Sequence, residues 1–142
     1  MSEPDWALQA LVGAIDHTRT YNSITVTVNG TVITGVLISA EEYAANVAQQ
    51  MRKAHNIESK DIKGIDALFD RIVEDAREKR EQHEAAVEAD DESLSSGPPH
   101  FLHLREAIPV TGSEVPQGEG GWWRIRISDV SGWTLGQIST LR

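Results

Sequence analysis

The chain of 142 residues contains no cysteine. Disulfides and thiolate metal sites are therefore excluded, and a reducing compartment fits the composition. No apolar run approaches the length of a membrane span. The opening MSEPDWALQALVGAIDH is acidic and too short in apolar length for a secretory signal, so the expected location is the cytoplasm. Positive charge is in deficit. Thirteen basic residues face 22 acidic ones, giving a net charge of −9 and a pI near 4.9. A phosphate backbone repels such a chain unless its basic residues are strongly segregated. They are segregated only a little: Glu41 to Glu92 carries 15 acidic and 8 basic residues, and the flanking regions are close to neutral.

Catalytic patterns are also missing. There is no Gly-x-Ser-x-Gly elbow. Gly118-Glu119-Gly120-Gly121 lacks the Lys-Ser or Lys-Thr of a phosphate loop. Acid–base chemistry needs carboxylates whose environments push their pKa values apart, whereas most acids here belong to a polar helical face. His55, His83, His100 and His103 show no chelating spacing; His100 and His103 fall on opposite faces of a strand. The expectation is a protein that is not an enzyme and uses no metal or cofactor.

What is present begins with SITVTVNGTVITGVLIS, residues 23–39. Two β-branched runs flank Asn29-Gly30, a strong signal for a type I′ hairpin, because both central positions of that turn need φ > 0. The two-residue loop fixes the register: Val28 opposite Thr31, Val26 opposite Ile33, Ile24 opposite Gly35. Ile24, Val26, Val28, Ile33 and Leu37 then share one face, and Thr25, Thr27 and Thr34 the other. Gly35 is read as the place where the second strand bends.

Around the hairpin, Leu8, Leu11, Val12 and Ile15 form one stripe of a helix over residues 4–17, with Ser2 as its N-cap. Ser39-Ala40-Glu41-Glu42 is a capping-box pattern opening a helix with Tyr43, Val47 and Met51 on one face, ending near His55-Asn56. A longer helix is expected from Asp61 into the late eighties, with the stripe Ile62, Ile65, Leu68, Phe69, Ile72, Val73 and Ala76. Beyond Ala76 the pattern is almost entirely polar, so this half is expected to project into solvent or fray. Together, residues 40–92 read as a charged helical insert and 93–99 as a linker. Strands return over 100–141. Leu102 and Leu104 alternate with Phe101, His103 and Arg105; then Trp123, Ile125 and Ile127 alternate with Trp122, Arg124 and Arg126. Gly132 reads as a break before a last strand over Trp133 to Leu141. The whole reads as one α+β domain, residues 1–142: a small Sm-like or SH3-like β-barrel with an N-terminal helix and the helical insert between strands 2 and 3.

Alternation buries Trp123 and leaves Trp122, Arg124 and Arg126 as an exposed strip. Trp beside Arg is the composition of a binding hot spot, and it could also stack bases. The plain structural reading is that Trp122 caps the barrel end and the arginines offset the acidic helix. Trp122, Arg124 and Arg126 are the candidate partner-binding residues.

Two families resemble this chain. VNGTVITGVL, with Gly30, Gly35 and Leu37, is similar to the first strand pair of Sm-like proteins, which also begin with a short helix. The Sm base-contacting segment and its late Arg-Gly are absent; Arg126 is followed by Ile127-Ser128. The second resemblance is to gas-vesicle accessory proteins of the U type (GvpU-like). ITVTVNGTVITGVLISAEEY, HFLHLREAIPVTG and WWRIRISDVSGWTLGQIS look like their conserved blocks. This resemblance implies a non-enzymatic accessory protein acting in vesicle assembly or clustering. It would work through contacts with its own copies, shell proteins or other accessory proteins, in the cytoplasm and in association with gas vesicles. The Sm resemblance implies the alternative of an RNA-binding protein, and a ring closed by edge strands such as WWRIRI.

Overall fold

A computed structural model of the chain describes residues 3–54, 65–90, 97–110 and 120–138. They group into two compact units: the helical segment Ala40–Gly97, and the segments before and after it.

The first unit holds helix α1 (Trp6–Thr18) and the strands β1 (Asn22–Val28), β2 (Thr31–Ile38), β3 (Phe101–Val110), β4 (Gly121–Arg126) and β5 (Val130–Leu135). The sheet is antiparallel in the order β4-β3-β2-β1-β5. The β1–β2 register is the one the Asn-Gly turn dictates: Val28 faces Thr31, Val26 faces Ile33 and Ile24 faces Gly35. Asn29 and Gly30 both have positive φ, at 50° and 83°. α1 is capped by Asp5, whose carboxylate accepts from the amides of Ala7 and Leu8. The expected cap, Ser2, lies outside the described residues.

Leu8, Val12 and Ile15 of α1 recur at i, i+4 and i+7 and enter the core with Ile24, Val26, Ile33, Leu37, Leu102, Leu104, Ala107, Ile125 and Ile127. The helix therefore covers the face that a closed barrel would fill with its own opposite wall. The barrel does not close: β4 and β5 are the two edges, and they do not pair. The sheet is nonetheless curled. A single 3-10 turn, Ile127–Asp129, carries the chain from one edge to the other. The four steps from Arg126 to Val130 reach at most about 14 Å, while four inter-strand spacings in a flat sheet span about 19 Å. Only a bent sheet accommodates that connection. β5 begins at Val130, so Gly132 lies within the strand and does not break it.

The second correction concerns Gly35. Register shifts in both the β2–β3 and β3–β4 ladders mark a bulge around Arg105 and Glu106, and Glu106 has φ 52°. A Cβ on Gly35 would lie 3.1 Å from both the Ala107 Cα and the Arg105 carbonyl oxygen. Gly120, with φ 77°, approaches Glu106 from the other ladder, where a Cβ would lie 2.5 Å from the Glu106 carbonyl carbon. The glycine is needed because a bulged neighbour comes close, in addition to any bend in its own strand. On the opposite sheet face Thr25 and Thr34 hydrogen-bond at 3.0 Å and hold the chain past β5: Thr25 Oγ1 donates to the Gly136 carbonyl and the Ile138 amide donates to Thr34 Oγ1.

The second unit pairs α2 (Ala40–Ala54) with α3 (Ile65–Ala89). The fully buried positions of α2 are Ala44 and Ala48, one residue on from the expected stripe of Tyr43, Val47 and Met51, which are half-buried. In α3, Leu68 is exposed, contrary to the expected stripe. Past Ala76 the helix continues to Ala89. Arg80 there pairs with Glu41 of α2 at a partly buried position, and Glu74–Arg77 and Asp75–Lys79 pair along the helix from the turn before. Charge pairs therefore accompany this half of the helix, and Ala86 is buried within it. His55 lies outside the described residues.

Candidate functional site

The β3–β4 ladder sets the strip. Phe101 pairs with Arg126, Leu102 with Ile125, His103 with Arg124 and Leu104 with Trp123. One face therefore carries Leu102, Leu104, Trp123 and Ile125, and the other Phe101, His103, Trp122, Arg124 and Arg126. Alternation assigns these faces correctly but not all the burial. Trp123 points to the core side yet is 43% exposed, because it lies near the open end of an edge strand with no further strand to cover it. This corrects its expected place in the core. Trp122 is half-buried, and Arg124 and Arg126 are exposed.

Arg124 is held in a defined orientation. Its guanidinium carbon lies 4.0 Å from the centroid of the Phe101 ring, within cation–π range. A guanidinium stacked on a ring keeps its N–H edges free for a carboxylate. His103, opposite Arg124, is buried. Burial, and secondarily the positive Arg124, lowers its pKa to about 4. It is neutral at pH 7 and adds no charge to the strip. Farther along β3, Arg105 lies 4.9 Å from the centroid of the exposed Tyr21 ring. Neither Arg124 nor Arg126 takes part in an ion pair among the described residues. Among the described residues β4 pairs with β3 alone, so its other edge offers backbone groups as well.

Trp133 serves the fold. It packs against the core, and its Nε1–H donates to Asp5 Oδ2 at 3.1 Å, tying β5 to the start of α1. That bond, with those from the Leu8 and Ala7 amides, lowers the Asp5 pKa. His83 is half-buried on α3 and His100 is exposed ahead of β3. No group of three or more His, Asp or Glu side chains suited to a metal occurs among the described residues. The Phe101 shelf beneath Arg124 is not legible in the sequence. Its signal is the matched alternation of the two strands, but their register is not fixed by a short turn as in the first hairpin.

These features describe an α+β protein with an open, curled sheet whose edge strand carries a cationic, aromatic strip. The family model described as gas vesicle protein GvpU-like matches residues 5–138, and the chain belongs to this family. It is a gas-vesicle-related protein. Comparison with curated proteins found no match, and neither did comparison with solved structures. Nothing in these findings favours the RNA-binding alternative. No helix among the described residues is long and apolar enough to cross a membrane.

Proposed function

We propose that this protein acts in the assembly or clustering of gas vesicles through protein–protein contacts made by Trp122, Arg124 and Arg126. The family match supplies the setting. The observation that carries the reading is the unpaired β4 edge, with two exposed arginines, one of them stacked on Phe101, beside a half-buried tryptophan. Aromatic and guanidinium groups give large contact energy, and Arg124, stacked on Phe101, is held before the partner arrives. The partners are its own copies, vesicle shell proteins or other accessory proteins, met in the cytoplasm at the vesicle surface. The curled sheet behind an N-terminal helix, with Gly30 and Gly35 in its first hairpin, supports an Sm-like class for the fold.

The test is the double variant Trp122→Ala/Arg124→Ala in a host that makes vesicles. The variant should fold, and vesicle formation or clustering should weaken. Normal vesicles with a folded variant would refute the reading.

A further inference from the structure

The cations of β4 have a counterpart in the same chain. Glu81, Glu84 and Glu88 follow one another at i, i+3 and i+7, so they share one face of α3. All three are exposed, and none joins an ion pair among the described residues. Glu84 lies one turn beyond Arg80, whose guanidinium is turned to Glu41 of α2. The spacings also agree. Arg124 and Arg126, two residues apart on a strand, are separated by about 6.7 Å along it. Glu84 and Glu88, four apart on a helix, are separated by about 6 Å. Two guanidinium groups can thus meet two carboxylates in register.

We propose that the β4 edge binds the Glu81–Glu84–Glu88 face of α3 of a second copy. The inference rests on the proposed function in taking Arg124 and Arg126 as the contact residues, and it names their partner. The contact is heterologous, joining two different surfaces. Each copy therefore keeps one free β4 edge and one free α3 face, and association propagates until it closes on itself. A net charge of −9 repels whole molecules from one another. At about 0.1 M salt, screening acts over about 10 Å, which quenches that repulsion but leaves close pairs intact; at about 1 M it reaches about 3 Å and weakens the pairs too.

Sedimentation velocity on the full chain tests this. At about 0.1 M salt the sedimentation coefficient should rise with concentration, and at about 1 M the rise should shrink. Arg124→Glu/Arg126→Glu and Glu84→Lys/Glu88→Lys should each sediment as monomers, while an equimolar mixture should associate again. Arg126→Glu alone, at an exposed position outside the Phe101 stack, should weaken association at least about tenfold. It keeps the test decisive if the Arg124 change disturbs folding, as read from tryptophan emission. A parent that is monomeric throughout, association indifferent to these reversals, or a mixture that stays monomeric would each overturn the inference. A monomeric parent with clustering still lost in Trp122→Ala/Arg124→Ala would remove this partner and leave the proposed function standing. Association by the parent with normal vesicles in that variant would do the reverse.

Discussion

The two units of this chain use charge in opposite ways. Four cations of the helical unit are matched internally: Arg52 with Asp70, Arg77 with Glu74, Lys79 with Asp75 and Arg80 with Glu41. In the sheet unit stability comes from burial, with Leu8, Ile24, Leu37, Leu102, Leu104 and Ile127 out of contact with water. Its β4 arginines have no carboxylate partner among the described residues. A charge consumed within its own unit is structural material. A charge left unmatched on a rigid edge is available to a partner. The comparison is also measurable, because Trp6, Trp122, Trp123 and Trp133 all lie in the sheet unit. Tryptophan emission reports that unit, and helical circular dichroism reports chiefly α2 and α3.

The largest expected effect strikes the burial side. Leu37→Ala should cost about 2–5 kcal/mol, since it opens a cavity in the centre of the sheet core. Denaturant midpoints followed by tryptophan emission measure it, and an unchanged midpoint would remove the claim that burial holds this unit. Next comes His103. Its folded pKa of about 4 lies below the ordinary 6.5, so between those values the unfolded chain binds the extra proton. Stability is complete above pH 6.5 and falls as pH drops toward 4, by up to about 3 kcal/mol. His103→Asn should flatten that slope, read from midpoints at several pH values. Gly35→Val should cost about 1–3 kcal/mol, because the added atoms meet the backbone of Arg105 and Ala107. The same tryptophan-monitored melts decide it.

On the charge side the effects are smaller. Glu41→Ala removes the partner of Arg80 and an acid from the first turn of α2. The loss should be about 1 kcal/mol, seen at 222 nm. A loss as large as that from Leu37→Ala would erase the contrast between the units.

Much of the sheet unit was legible because its signals are local. Asn29-Gly30 fixes a register, and period-two alternation then places Ile24, Val26, Ile33 and Leu37 inside. Leu102 and Leu104 follow by the same rule. What was not legible depends on neighbours distant in sequence. Alternation says which way Trp123 points, but only the open edge explains its exposure. The bulge at Arg105–Glu106 gives Gly35 and Gly120 their purpose, and nothing in HLREAIPV announces it. Strand patterning suggests a closed barrel, whereas α1 supplies the missing wall. The polar half of α3 reads as projecting into solvent or fraying; it is helical to Ala89 and mostly exposed, and periodicity, which registers apolar stripes, does not show the Arg80–Glu41 pair. For the candidate strip, Trp122, Arg124 and Arg126 were legible as a face, while the Phe101 stack beneath Arg124 was not.

The most direct test removes equal charge from the two regions. Arg124→Ala/Arg126→Ala takes two cations from the sheet edge, and Arg77→Ala/Lys79→Ala takes two from the helical unit. In a host that makes gas vesicles, with both variants folded, the first should lose vesicle assembly or clustering and the second should retain it. Equal loss in both, or retention in both, would contradict the account.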